Sequence, residues 1–292
     1  IKEHNFPWEA LPTELLNTAE IWKALLPEIG LIALVRNLGK LSKLELLKPF
    51  SEEEKLVLSK LSDEALIKKD KIHPIQVLFA LKTYSQGHGD KGKMNWEVNE
   101  RISDALDTLF EKSFTNIEAT GKNIMIALDV SGSMSYNHVP HSSLSCCEAA
   151  AAMSMVFARS EENVIVKGFA DTFKDLGITK KDTLLSAMKK AQMNNFGGTD
   201  CSLPILYALE KKIKVDCFMV FTDNETYLGN IHPSEALKKY RTQVNPEAKL
   251  VVAAFTATPF SIADSSDRGM LDVVGFDTSV PTVVANFLTG QF

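Results

Sequence analysis

Asp129, Ser131 and Ser133 follow the apolar run Ile124-Met125-Ile126-Ala127-Leu128 and bring one carboxylate and two hydroxyls to a single loop. All three are hard oxygen donors, the ligand type of Mg²⁺ or Mn²⁺ rather than of zinc or copper. The loop also falls just beyond the carboxyl end of an expected strand, where open α/β sheets bind ligands. One loop cannot fill an octahedral shell, so partners must come from other strand ends. Thr199 is one candidate, in the loop Gly197-Gly198-Thr199-Asp200, whose glycines permit a tight turn toward the first loop. Asp223 is the other, just past the most apolar run of the chain, Cys217-Phe218-Met219-Val220-Phe221. Alone, Asp-x-Ser-x-Ser serves equally as an Asx-turn with a helix cap. Three such loops at strand ends make a metal site the better reading.

The elements that must position these residues occupy the second part of the chain. Strands are expected over 124–130, 164–169, 215–222 and 250–255, and helices over 145–159, 183–193, 202–212, 233–244 and 281–288. Apolar strands alternating with amphipathic helices specify a doubly wound, mostly parallel sheet covered on both faces. Before about residue 114 the rhythm is helical instead. Ile21, Leu25, Leu26, Ile29, Ile32 and Val35 form one stripe. Leu56, Leu58, Leu61, Leu66 and Ile67 form a second, and Ile72, Ile75, Leu78, Phe79 and Leu81 a third. A last amphipathic stretch over 98–110 carries Ile102, Ala105, Leu106 and Leu109. The switch falls within 115–121, giving an all-α helical-repeat segment over residues 1–117 and an α/β domain over 118–292.

Composition narrows the partners. The net charge of −5 gives no global attraction to nucleic acid or anionic membrane, so any RNA contact must be local. No apolar run is long enough to span a bilayer, and no membrane partner is expected. Cys146, Cys147, Cys201 and Cys217 lack zinc-ligand spacing and read as small buried thiols in a reducing, intracellular setting. The chain opens at Ile1 without an initiator Met and reads as a piece of something longer.

Competing chemistries lack part of their signature. Gly87-His88-Gly89-Asp90-Lys91-Gly92 matches G-x-G-x-x-G, but no strand precedes it, so it is expected to be a structural loop, with phosphate contact as the lesser reading. Ser131 lacks the first glycine of a nucleophile elbow, and His138 and His141 lie in a loop, which argues against a hydrolase. A phosphoryl-transfer aspartate would have a second acid two residues on, where Ser131 stands. The lysine runs at 68–71, 180–181 and 189–190 read as solvated helix faces. Lys43, Lys48, Lys68, Lys69 and Lys71 could add to an RNA-binding surface.

Asp129-x-Ser131-x-Ser133, Thr199 and Asp223 together resemble the metal-ion-dependent adhesion site, or MIDAS, of von Willebrand factor A domains. The resemblance implies that Asp129, Ser131, Ser133 and Thr199 hold Mg²⁺ or Mn²⁺, directly or through water, with Asp223 acting through water. An acidic protein or ligand carboxylate takes the remaining position, so it implies binding rather than catalysis. Gly197 to Pro204, Phe221 to Thr226, Asp267 to Asp272 and Gly275 to Thr278 resemble segments of the Ro ribonucleoprotein, or TROVE, family. Ile72-His73-Pro74, Gly87-His88-Gly89 and the segment Leu34 to Lys40 resemble the last helices of that family's HEAT-like ring. This second resemblance runs over nearly the whole chain. It implies a non-enzymatic RNA-binding component that takes small structured RNA, namely Y RNA and misfolded RNA, through the full helical ring. It also implies a cytoplasmic location, with the nucleus as a second compartment. The alternative is a metal-dependent protein-interaction module without an RNA role.

Overall fold

The computed structural model describes residues 8–90, 93–140, 142–192, 197–223, 228–257 and 262–291. The chain divides into two compact units, Ile1–Ile117 and Glu118–Phe292.

The first unit is helical: α1 (Ala19–Leu25), α2 (Leu31–Lys43), α3 (Glu52–Ser62), α4 (Glu64–Asp70), α5 (Pro74–Ser85) and α6 (Glu100–Ser113). Side-chain caps start several of them. Ser51 accepts from the Glu54 N–H, Asp63 from the Ala65 and Leu66 N–H groups, and His73 forms a capping box ahead of Pro74. The buried faces follow the expected stripes in part: Leu25, Leu26, Ile29, Val35, Ile72, Ile75 and Leu78 are buried. A turn around Pro27 splits the first stripe, and α2 buries Leu31, Leu34, Val35, Leu38 and Leu41 while Ile32 stays half-buried. Across α3 and α4 the buried positions are Glu54, Val57, Leu61 and Ile67, with Leu56, Leu58 and Leu66 only half-buried. A capped break between two short helices resets the phase, so the stripe read across it meets the buried face at Leu61 and Ile67 and leaves it at Leu56, Leu58 and Leu66.

The second unit runs β1 (Ile124–Asp129), α7 (Gly132–Tyr136), α8 (Cys146–Ser160), β2 (Val164–Phe169), β3 (Phe173–Asp175), α9 (Leu184–Gln192), α10 (Leu203–Lys211), β4 (Cys217–Thr222), α11 (Pro233–Gln243), β5 (Lys249–Ala254), β6 (Met270–Val274) and α12 (Ser279–Thr289). The sheet order is β3-β2-β1-β4-β5-β6, with all pairings parallel except the antiparallel β2–β3. One face of the sheet, with Met125, Ala127, Phe218, Val220, Leu250 and Val252, packs with residues of α10 and α11. The other face meets α8, where Phe157 lies 6.4 Å from Phe221. This is the expected doubly wound architecture, with β3, β6 and the short α7 added to it. β1 and β4 are buried throughout, as adjacent central strands covered on both faces must be. Among the described residues no helix is long and apolar enough to cross a membrane.

Candidate metal centre

Parallel pairing brings the first and third loops together. Asp129, the last residue of β1, is level with Phe169 of β2, and its neighbour Leu128 is level with Phe221 of β4. The Asp129 side chain is 1% exposed. Its Oδ1 accepts the Ser131 N–H at 2.9 Å and its Oδ2 accepts the Thr222 hydroxyl at 2.8 Å. Burial pushes this carboxyl up to about 6; the Ser131 and Thr222 hydrogen bonds oppose that rise, and the charge of Asp223 adds to it. Ser131, at the start of α7, is buried, and its hydroxyl lies 3.0 Å from that of Ser133.

Asp223 follows β4 and is also 1% exposed. Its carbonyl accepts the Thr256 N–H at 3.1 Å beyond β5, and its Oδ2 accepts the Asn137 amide at 2.6 Å. Asn137 directly follows α7, so one hydrogen bond clamps the first loop to the third.

Thr199 enters through the backbone. The N–H of Asp200 donates at 2.9 Å to Ala170, the residue after β2, whose last residue is level with Asp129. Thr199 itself is buried, and its carbonyl accepts the Leu228 N–H at 2.7 Å. The two glycines here do not adopt the left-handed conformation. What Gly198 provides is room, because a Cβ there would overlap the Leu228 side chain. Asp200 turns its carboxylate to the Ser202 N–H and hydroxyl, at 2.9 and 2.6 Å, and opens α10 instead of joining the site.

The donor set fits a hard divalent cation. Two nearly inaccessible carboxylates lie close enough for one charge to disfavour the other, and no lysine or arginine forms an ion pair with either among the described residues. Such an arrangement is costly unless a cation compensates it. Among the described residues no group of three or more His, Cys, Asp and Glu side chains is placed to hold a metal ion, so a cation here would draw on the hydroxyls of Ser131, Ser133 and Thr199 as well. Thr222 and Asn137 were not singled out from the sequence. Thr222 stands beside Asp223 at the strand end, where a signal was available; Asn137 carries no periodic signal. Phe196, Asn224 and Glu225 of the candidate loops, and His141 and Lys91, lie outside the described residues.

The remaining candidates resolve into structural roles. His138 directs Nδ1 to the Tyr136 carbonyl at 3.0 Å. The G-x-G-x-x-G segment follows α5, and Gly87 takes a φ of 76° to start a reverse turn whose arms join through Gly87 and Trp96. Its glycine therefore serves the turn. Cys146 and Cys147 are free, buried thiols pushed up to about 12, chiefly by burial.

Comparison with known proteins bears on the fold and the family. The family model described as the Ro60 vWA domain matches residues 123–288, and the TROVE domain model matches residues 3–83. The chain is 44% identical over 293 residues to "RNA-binding protein RO60" of Deinococcus radiodurans, covering 100% of this chain and 55% of that protein. It is 41% identical over 295 residues to the protein of the same name from Caenorhabditis elegans, covering 100% of this chain and 45% of the relative. The chain thus spans about half the length of the curated relatives it matches. The crystal structure of the Deinococcus radiodurans RO (RSR) protein superposes with a TM-score of 0.92 at 44% identity, covering 99% of this chain and 59% of that one. The chain therefore belongs to the Ro60 family, joining TROVE sequence to a Ro60-type von Willebrand factor A domain.

Proposed function

We propose that this chain is part of a non-enzymatic, RNA-binding Ro-type protein whose A domain captures an acidic partner through a divalent cation. Asp129, Ser131, Ser133, Thr199 and Asp223 would hold Mg²⁺ or Mn²⁺, and the cation would supply a positive centre for a partner carboxylate. The residues of the chain prepare that centre. Thr222 and the Ser131 N–H orient the Asp129 carboxylate, Asn137 orients Asp223, and both carboxylates are buried. The observation that carries the reading is the pair of inaccessible carboxylates, Asp129 and Asp223, held beside hydroxyls at the ends of adjacent parallel strands. The RNA part rests on the relatives that bear RNA-binding names along this chain's whole length. Small structured RNAs, Y RNA and misfolded RNA, are the proposed cargo, taken by the longer protein's helical ring.

A second reading, a metal-dependent protein-interaction module, is favoured by one observation. Tyr136, the last residue of α7, and Leu228, whose N–H bonds the Thr199 carbonyl, are large side chains 83% and 60% exposed. Two titrations separate the readings. Isothermal titration with MgCl₂ should show binding that Asp129→Ala removes while far-UV circular dichroism is unchanged; equal affinity in the variant would remove Asp129 from the ligand set. RNA affinity should fall steeply with salt, through counterion release, and ignore chelator, whereas capture of an acidic peptide should vanish with chelator. Chelator-sensitive peptide capture without salt-dependent RNA binding would favour the protein-interaction reading.

A further inference from the structure

Residues that play no part in the metal site gather where α2 turns into α3. Arg36, Lys40 and Lys43 recur at i, i+4 and i+7 and so share one face of α2, and Lys48 follows in the loop. Lys43 and Lys48 border a cavity of about 290 Å³, with Asn95, Trp96 and the buried Asn99 also in its wall. Trp96 is fixed there, its indole N–H donating to the Tyr84 carbonyl at 3.0 Å.

The loop beside the cavity holds a conformation its residues resist. Glu45 and Phe50 have φ of 60° and 68°, in the left-handed region that side chains larger than Asn rarely enter. Glu54, fully buried, over-determines it. Its carboxylate accepts the Phe50 N–H at 2.7 Å, the Asn99 amide at 2.7 Å and the Arg101 guanidinium at 2.6 Å. Asn99 also donates to the Leu47 carbonyl at 2.9 Å, and the Ser51 hydroxyl to the Leu46 carbonyl at 2.8 Å. The outcome is an aromatic ring held 74% exposed, with the Arg101 guanidinium 4.9 Å from its centroid. Keeping a phenylalanine in water on a strained, locked backbone opposes what burial favours, and such outliers cluster at binding sites.

We propose that this corner holds a nucleotide of single-stranded RNA, its base stacked on the open face of Phe50 and its phosphates drawn to Lys43 and Lys48. The inference rests on the RNA reading above and gives it a contact surface within this chain. Aromatic shelves beside cationic rows are how sequence-tolerant single-strand binding works, and a duplex offers no free base face to such a shelf. Glu45 and Glu97 also border the cavity, and Glu45 pairs with Lys48 at 2.6 Å. Both partners are largely exposed, so the pair holds the ammonium weakly and a phosphate can take it over. An acidic peptide segment would meet the same lysines, but it brings no flat π-face for Phe50.

The test is fluorescence anisotropy of a labelled short oligouridylate with the 292-residue chain at low salt. Phe50→Gly removes the ring while suiting the left-handed backbone, and it should weaken binding about tenfold; Phe50→Trp should retain it. The double variant Lys43→Glu/Lys48→Glu should reduce the slope of log affinity against log salt by about 1.4, two phosphates' worth for a single strand. Thermal denaturation confirms that each variant is folded. Wild-type affinity and salt slope in both variants would overturn the proposal and leave the RNA reading standing. Absence of binding by the wild-type chain at any salt would overturn the proposal and leave the RNA reading, which places the cargo in the longer protein's ring. Displacement of the RNA by oligoglutamate with the same dependence on Phe50 would assign the surface to acidic protein segments and overturn the nucleotide.

Discussion

Asp129 sets the behaviour of the A domain at the scale of a single side chain. Its carboxyl, raised to about 6 in the folded chain against 3.8 when unperturbed, holds its proton more tightly when folded than when unfolded. The associated stability is therefore complete below about pH 4 and lost as pH rises through about 6, a penalty on the order of 3 kcal/mol at neutral pH. Asp129→Asn keeps the shape and removes the charge. Its Oδ1 still accepts the Ser131 N–H, and the Thr222 hydroxyl can turn to accept from the new amide. Without metal, the variant should melt higher than wild type near neutral pH, with the gap closing toward about pH 4. An equal or lower melting point near neutral pH would show that the buried charge is already compensated. The same titration couples to the cation, because proton and metal compete for one carboxylate. The rise in melting temperature produced by Mg²⁺ should therefore fade below about pH 6, with apparent affinity dropping about tenfold per pH unit. Thermal shifts across a pH series check this; a flat profile would leave Asp129 outside the coordination shell. The candidate donors were legible because oxygen side chains at strand ends stand out from the apolar runs before them. Asn137 was not legible, because its role depends on where α7 ends.

At the scale of elements, close packing of α2 on the loop before α6 gives a sharp prediction. A Cβ on Gly39 would come within 2.8–2.9 Å of three atoms of the Trp96 ring. That ring cannot swing aside without breaking its bond to the Tyr84 carbonyl and its stacking on Tyr84, 6.3 Å away. Gly39→Ala should thus destabilise the helical unit by about 1–3 kcal/mol, against the gain of about 1 kcal/mol that alanine brings to a helix interior. Urea unfolding followed by tryptophan fluorescence measures it; a stabilised variant would mean that Trp96 is free to move. Legibility at this scale followed local chemistry. The helix that Ser145 caps and the helix with Pro233 in its first turn are read from the sequence, whereas the stripe from Leu56 to Ile67 runs across the break that Asp63 caps. β3 is only three residues long, and β6 is an edge strand whose middle is half-buried with Asp272 inside it. Neither has enough apolar periodicity to stand out, and their partners, β2 and β5, supply the ordering.

For the whole molecule, the distribution of tryptophan makes the two units separately observable. All three tryptophans, Trp8, Trp22 and Trp96, fall in the helical unit, and every candidate metal ligand falls between Asp129 and Asp223 in the other. A ligand stabilises the cooperative unit whose folded form binds it, by about 2.7 kcal/mol at a hundredfold excess over Kd. Tryptophan fluorescence then reports only the unit without the metal site, while far-UV circular dichroism reports both. Saturating Mg²⁺ should raise a transition seen by circular dichroism and leave the fluorescence midpoint where it was. Asp129→Ala should abolish the dichroism shift without touching the fluorescence curve. A short oligouridylate, if it binds at Phe50 as proposed, should do the converse and raise the fluorescence midpoint. A fluorescence midpoint that follows Mg²⁺ as closely as the dichroism does would mean that the chain unfolds as one cooperative body, in which a cation at Asp129 also stabilises the helices on either side of Phe50.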